Sequence, residues 1–79
     1  MIVKVRLYAT LSRYNPEGKS DQPFTVELKV DSTVTDLLDQ LAVPRGEVKQ
    51  VFIRHKARQL DYKLQDGEQV AVFPPVAGG

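Results

Sequence analysis

The sequence contains no cysteine and no tryptophan, and His55 is its single histidine. Without cysteine the chain can form neither a disulfide nor a thiolate metal site, and it has no internal thiol nucleophile. A metal site at His55 would need several further ligands, so this residue is better interpreted as an exposed part of a basic turn. No bound metal is therefore expected.

Neither sign of charge dominates, and long hydrophobic runs are missing. Eleven lysine and arginine residues stand against ten aspartate and glutamate residues, giving a formal net charge of +1. The basic residues are scattered, which argues against a nucleic-acid or membrane partner. No apolar run approaches the ~20 residues that cross a bilayer, and Met1-Ile2-Val3-Lys4 does not resemble a signal peptide. We therefore expect a cytoplasmic protein.

The chain is also short, at 79 residues. A domain of this size buries only about 60% of the surface that its unfolded chain exposes, so little room is left for an enclosed catalytic pocket. The sequence has no Gly-x-x-x-x-Gly-Lys-Ser/Thr phosphate loop either. We expect a protein that is not an enzyme by itself, that binds no cofactor, and whose function lies on its surface or at an end.

Alternating apolar residues predict strands near both ends of the chain. These positions are Val3, Val5 and Leu7, then Phe24, Val26, Leu28 and Val30, and finally Val70 and Val72. A long polar loop with the turn sequence Asn15-Pro16-Glu17-Gly18 joins the first two strands, which favours an antiparallel hairpin. Residues 51–53 predict a third strand. Residues 55–58 predict a polar turn, 59–60 a brief edge strand, and 61–64 a single helical turn.

A helix is predicted to begin at Thr33. This residue suits the N-cap, and Asp36 three positions later suits a capping box. The apolar residues that follow recur at i, i+3, i+4 and i+7, the spacing of one helix face. They are Val34, Leu37, Leu38 and Leu41. Pro44 and Gly46 are expected to end the helix, which can bury its apolar face only against the sheet.

The order of these elements predicts the fold class. A right-handed crossover after the helix would place the last strand parallel to the first in the middle of the sheet. We therefore expect an α+β protein with a β-grasp (ubiquitin-like) fold, a mixed sheet of four to five strands packed on one main helix. The domain would span residues 1–73, and 74–79 would form a flexible C-terminal tail. A split β-α-β sandwich is also compatible with this order.

Three segments resemble the ubiquitin-like sulfur carriers of the MoaD/ThiS family. They are Thr33-Val34-Thr35-Asp36-Leu37-Leu38, the turn Leu64-x-Asp66-Gly67, and the end Val70-Ala71-Val72-Phe73-Pro74-Pro75-Val76-Ala77-Gly78-Gly79. The match is closest to the small subunit of molybdopterin synthase, because thiazole-synthesis carriers share the Gly-Gly end but usually not the proline pair. Many relatives have asparagine where this chain has Arg54, so no role is transferred to that position.

The resemblance implies that partner proteins act on the end of the chain. A ubiquitin-activating-like adenylyltransferase would use ATP to adenylate the C-terminal carboxylate of Gly79, which would then become a thiocarboxylate. This group would donate sulfur within molybdopterin synthase during molybdenum cofactor biosynthesis. The second partner implied is the synthase large subunit, in a heterotetramer of two small and two large subunits.

The residues before Gly79 suit such a role. Pro74 and Pro75 favour an extended backbone, Val76 and Ala77 continue it, and Gly78 leaves the approach to the carboxyl group free of side chains.

Alternation also predicts an interface for a partner protein next to this tail. It places Tyr8 and Phe73 on the outer face of the sheet, and Phe52 fits either that surface or the core. Three other functions are compatible with the sequence: a thiazole-synthesis sulfur carrier, a protein modifier that acylates lysines, and a ubiquitin-like binding module with an incidental tail.

Overall fold

The first and last strands lie side by side in the middle of one five-stranded sheet. The computed structural model describes residues 1–18 and 22–75. The strands are β1 (Ile2–Leu7), β2 (Phe24–Glu27), β3 (Gln50–Ile53), β4 (Lys56–Arg58) and β5 (Gln69–Phe73), in the spatial order β2-β1-β5-β3-β4. β1 and β5 are parallel and the other neighbouring strands are antiparallel. The predicted β-grasp with a mixed sheet is confirmed.

The helix, α1 (Val34–Gln40), begins where the sequence predicts. The Asp36 backbone N–H donates to the Thr33 hydroxyl at 3.3 Å, and the Thr33 backbone N–H donates to Asp36 Oδ2 at 2.9 Å. This reciprocal capping box satisfies two N–H groups that the first turn would otherwise leave unpaired. Val34, Leu37 and Leu38 are buried, which confirms the predicted apolar face.

The helix ends at Gln40, before the predicted end at Pro44 and Gly46, so this prediction is wrong. Ala42 takes a left-handed conformation with φ 60°. The Ala42 N–H donates to the Asp39 carbonyl at 3.1 Å, and the Val43 N–H donates to the Leu38 carbonyl at 2.9 Å. These two bonds form a Schellman motif, which terminates α1 without glycine. Pro44 instead precedes a short 3₁₀ helix, Arg45–Glu47.

One hydrophobic core joins the inner face of the sheet to α1. It also receives Leu11 from a 3₁₀ helix, Ala9–Tyr14, that the sequence pattern did not resolve. The buried apolar side chains are Val3, Val5, Leu7, Leu11, Phe24, Val26, Leu28, Val34, Leu37, Leu38, Val43, Val51, Ile53, Leu64, Val70 and Val72. Full burial of a leucine or valine contributes about 1.5–3 kcal/mol relative to exposure, so this cluster is the main source of stability.

The second strand is shorter than predicted, and Val30 does not join the core. β2 ends at Glu27, and Val30 is 77% exposed. The Ser32 N–H donates to the Lys29 carbonyl at 3.1 Å, and Asp31 has φ 72°. The chain therefore turns towards α1 after Leu28, although the alternation continues in the sequence to Val30.

The predictions for residues 55–64 are also wrong. β4 pairs with β3 through a two-residue turn at Arg54 and His55, which have φ 55° and 67°. The predicted edge strand at 59–60 is a turn that Tyr62 closes by donating to the Gln59 carbonyl at 3.1 Å. The predicted helical turn at 61–64 is extended where Lys63 bridges Thr33. β4 is an edge strand that pairs on one side only, so it needs no alternation of apolar residues. Its polar sequence therefore led to the wrong prediction of a turn.

Replacing Ala42 with glycine should stabilise the protein. Glycine takes positive φ without the steric cost that a Cβ adds, so Ala42→Gly should raise the free energy of unfolding by about 1 kcal/mol. For a domain of this size the melting temperature should rise by about 4–8 °C. Thermal unfolding followed by circular dichroism measures the change.

The matched control is Ala57→Gly in the middle of β4, where φ is not positive. The same chemical change should destabilise the protein there, because glycine weakens a strand. If both substitutions stabilise the protein, or both destabilise it, the role assigned to the left-handed conformation of Ala42 is contradicted.

Candidate functional site

β5 is held in the sheet up to its last residue, where the C-terminal segment begins. The Tyr8 N–H donates to the Val72 carbonyl at 3.1 Å, and the Lys49 N–H donates to the Phe73 carbonyl at 2.8 Å. Pro74 follows directly and has no N–H to continue the ladder. The chain therefore leaves the sheet between the end of β1 and the start of β3.

The three aromatic residues predicted to form an interface lie together at this exit. Tyr8 and Phe73 stack with ring centroids 4.4 Å apart and planes within 10°, and Phe52 meets Phe73 edge-on at 5.6 Å. All three side chains are half-buried. Since Val51 and Ile53 are buried, Phe52 belongs to the outer face, which decides between the two alternatives that the sequence left open. The role of this aromatic cluster in binding a partner stays a prediction.

The aromatic cluster borders a hollow of about 710 Å³ on the outer face of the sheet. Ala71 of β5 contributes the smallest side chain to its wall, and it lies in register with Arg6 on β1 and Phe52 on β3. Lys4 and Arg54 line the hollow on the side away from the tail. Basic and aromatic residues therefore share one concave surface.

Glu68, a residue that the sequence pattern did not single out, is a buried carboxylate next to this surface. Its side chain is 0% exposed. Oε2 accepts from the Tyr62 hydroxyl at 2.7 Å and lies 3.6 Å from Arg54 Nε, and Oε1 accepts from the Gln65 N–H at 2.7 Å. The sequence pattern contained no clear signal for this burial, because Glu68 lies in the polar turn that precedes β5.

The contact with Glu68 raises the pKa of Tyr62. The hydrogen bond that the phenol donates to this carboxylate is the main cause, and burial adds to it because both disfavour the phenolate. Arg58 lies over the same ring, with Cζ 4.9 Å from its centroid. The contacts among these side chains thus connect the three turns that contain Arg54, Tyr62 and Glu68, next to the start of β5.

A second polar cluster connects the two 3₁₀ helices beside the exit of the tail. Arg13 forms an ion pair with Glu47, and the Tyr14 hydroxyl lies 3.1 Å from Glu47 Oε1 and 3.0 Å from Oε2. The pair is largely exposed, so its contribution to stability is small. Its structural effect is to join the segment after Tyr8 to the segment before β3.

The remaining polar candidates lie in turns, and one of them, His55, also lines the hollow. Asp66 accepts a hydrogen bond from the Ile2 N–H at 2.7 Å, and His55 is exposed in the β3–β4 turn. Within residues 1–18 and 22–75, no group of three histidine, aspartate or glutamate side chains is arranged to hold a metal ion. Over the same residues, no helix is long and apolar enough to cross a membrane.

The predicted reactive end is only partly within the described structure. Pro74 is half-buried and Pro75 is exposed. Val76, Ala77, Gly78 and Gly79 lie outside the described residues. Their proposed conformation and chemistry therefore stay predictions from the sequence.

A family model described as Mut7-C ubiquitin matches residues 1–78. No curated protein matches the chain. SAMP1 from Haloferax volcanii has a similar structure, with a TM-score of 0.73, 22% identity and coverage of 100% of both chains.

Two other similar structures carry molybdopterin-related names. A putative molybdopterin converting factor, subunit 1, from Pyrococcus furiosus is 23% identical with a TM-score of 0.71, covering 96% of this chain and 99% of that chain. A chain from the complex of subunits 1 and 2 of the molybdopterin-converting factor from Helicobacter pylori is 20% identical with a TM-score of 0.63, covering 100% of both. At these identities the structures show a shared fold.

The stability of the protein at high pH should depend on the hydrogen bond between Tyr62 and Glu68. Because the pKa of Tyr62 is raised on folding, its contribution to stability is complete below the ordinary value near ~10 and is lost as the pH rises through the folded-state value. Melting temperatures measured between about pH 8 and about pH 11 should therefore fall more steeply for the wild type than for Tyr62→Phe.

The Glu68→Gln variant separates this coupling from general alkaline unfolding. In the folded variant the carboxylate charge that opposes the phenolate is gone, so the pKa of Tyr62 should return towards its ordinary value. Ultraviolet titration of the phenols measures it. An unchanged tyrosine titration in folded Glu68→Gln would contradict the assigned cause.

Proposed function

The chain belongs to the Mut7-C ubiquitin family, and on that premise we propose that it is a sulfur carrier whose reactive group is the carboxyl of Gly79. The observation that carries the proposal is the position of the sequence Pro74-Pro75-Val76-Ala77-Gly78-Gly79. It follows directly from β5, the strand in the centre of the sheet, at the point where Tyr8 and Phe73 stack. A rigid domain would thus present a tail with no side chain near its carboxyl group.

The carboxyl of Gly79 needs activation by a partner. An α-carboxyl group titrates near ~3.5, so it is an anion at neutral pH and a poor electrophile. A ubiquitin-activating-like adenylyltransferase would join it to AMP from ATP with release of pyrophosphate. Sulfide would then attack the carboxyl carbon and displace AMP, which leaves a thiocarboxylate. We place these steps in the cytoplasm, where ATP is available to the partner.

The tail suits entry into the active site of another protein. An extended segment from Pro74 to Gly79 reaches roughly 20 Å. The proline pair restricts the backbone before binding, which lowers the entropy lost on insertion. Gly78 and Gly79 allow the backbone to pass a narrow channel and bring the carboxyl carbon close to a nucleotide.

We propose that sulfur is delivered to a molybdopterin precursor within molybdopterin synthase. The existence of a Helicobacter pylori complex between subunits 1 and 2 of the molybdopterin-converting factor supports a large-subunit partner for this fold. The aromatic cluster of Tyr8, Phe52 and Phe73 would contact that subunit and guide the tail into it, because half-buried aromatic rings suit the core of an interface. Two small and two large subunits would form the complete enzyme.

A second candidate function is protein modification. Haloferax volcanii SAMP1, whose structure is similar over the full length, is a small archaeal modifier protein by name. Adenylation of Gly79 would serve this function equally, with a lysine amine of a target protein displacing AMP to form an amide. The two functions differ in the nucleophile, so the products on Gly79 distinguish them.

Intact-mass spectrometry tests the sulfur-carrier function. The protein isolated from its own cells should end at Gly79, and incubation with ATP, a sulfide donor and the adenylating enzyme of the same organism should add the mass difference between sulfur and oxygen. A variant lacking Gly79 is the control. A longer native chain, or no mass change with an active adenylating enzyme, would overturn the proposal, and amide-linked adducts ending at Gly79 would favour the modifier function.

A side chain beside the reactive carboxyl should block activation. Gly78→Val should lower the rate of thiocarboxylate formation by about 100-fold or more, since a misplacement of about 1 Å at a reacting centre can cost that much. The rate follows from the same mass assay. Ala77→Val adds the same kind of side chain one residue earlier, and it should have a much smaller effect. If the wild type, Gly78→Val and Ala77→Val form the thiocarboxylate at equal rates, a narrow channel is not involved.

A further inference from the structure

The hollow on the outer face of the sheet is suited to a particular kind of partner surface. We propose that it receives one apolar side chain of a partner protein whose surrounding surface is acidic. This inference rests on the proposed function, because the partners are the adenylating enzyme and the synthase large subunit. It adds the chemistry by which they would recognise the folded domain, independently of the tail.

The shape of the hollow depends on Ala71. This residue points outwards from the central strand β5, since Val70 and Val72 on either side are buried. Its neighbours in register are the much larger side chains of Arg6 and Phe52. A short side chain between two long ones leaves a depression in the middle of the sheet, and hot spots of protein interfaces are commonly side chains that fill such pockets.

The wall nearest the tail is apolar. Phe73 stacks on Tyr8 on one side and meets the edge of Phe52 on the other, so the three rings fix one another in position. Because these side chains are already ordered, a partner would lose little conformational entropy by packing against them. An apolar side chain inserted above Ala71 would contact this wall.

The opposite wall is basic. Lys4 is exposed, and the side chain of Arg54 is 67% exposed although its Nε lies 3.6 Å from Glu68. Among the described residues that line the hollow, Glu68 is the single acidic one, and its side chain is fully buried. A partner approaching this wall would therefore meet positive charge, which attracts carboxylates and repels basic surfaces.

The same features favour a protein over a nucleic acid. The chain has a net charge of +1 and a sequence pI of about 8.0, whereas nucleic-acid-binding domains commonly exceed a pI of ~9. Tyr8 and Phe73 stack on each other, which occupies one face of each ring and reduces the area available for bases.

The test measures dissociation constants for the adenylating enzyme and the synthase large subunit of the same organism, at low and high salt. Ala71→Trp fills the hollow and should weaken binding to at least one partner by about tenfold or more. Ala71→Ser leaves the hollow open and should bind as the wild type does. Thermal unfolding of each variant confirms that it is folded.

The basic wall is tested by reversing one charge. Lys4→Glu should weaken binding roughly fivefold at low salt and reduce the dependence of affinity on salt. Lys29→Glu makes the same change at an exposed position outside the hollow, and its affinity should match that of the wild type.

The outcomes separate this inference from the proposed function. Normal thiocarboxylate formation with unchanged affinities in folded Ala71→Trp and Lys4→Glu would overturn the docking inference alone. If the wild type forms no thiocarboxylate and binds neither partner, both proposals fail. Binding of an oligouridine RNA as tightly as either protein, with loss in Lys4→Glu, would assign the hollow to a nucleic acid and overturn the inference.

Discussion

The parallel pairing of β1 with β5 is the interaction on which the rest of this structure depends. It places the last strand in the centre of the sheet, with Leu7 opposite Val72 and both side chains in the core. The same register brings Tyr8 against Phe73 on the outer face. Because the strands are parallel, the end of β5 and the end of β1 lie at one edge of the domain. The proposed reactive tail therefore starts beside a preformed aromatic surface.

β5 is fixed at both ends by contacts from distant parts of the chain. At its start, the Lys4 N–H donates to the Glu68 carbonyl at 2.9 Å, and the Glu68 carboxylate is held by Tyr62 and Arg54. At its end, the Lys49 N–H donates to the Phe73 carbonyl at 2.8 Å. In the proposed function, a strand held in this way would keep its position while a partner binds the tail. Removing one partner of a buried carboxylate is costly, so the contacts of Glu68 help to hold the start of β5 in place.

The two faces of the sheet have separate roles. The inner face is apolar and provides the stability of a domain with a small core. The outer face carries aromatic side chains near the tail, a small residue at Ala71 and basic groups such as Lys4 beyond it. Strand alternation lets one short segment, Val70 to Phe73, serve both faces. In the proposed function, this division lets the surface be specific for a partner without weakening the core.

The predicted order of elements was compatible with a β-grasp or a split β-α-β sandwich, and the parallel pairing of β1 with β5 decided for the β-grasp. The sequence by itself determined the strands β1 and β5, the capping box at Thr33 and the position of Tyr8 and Phe73 on the outer face. Each depends on a local pattern: alternation along a strand or a side chain that caps its own helix. Only the tertiary structure decided that Phe52 faces outwards, that residues 56–58 form β4 and that Glu68 is buried among partners. These features arise from pairing between residues far apart in the chain, which no short window of sequence contains.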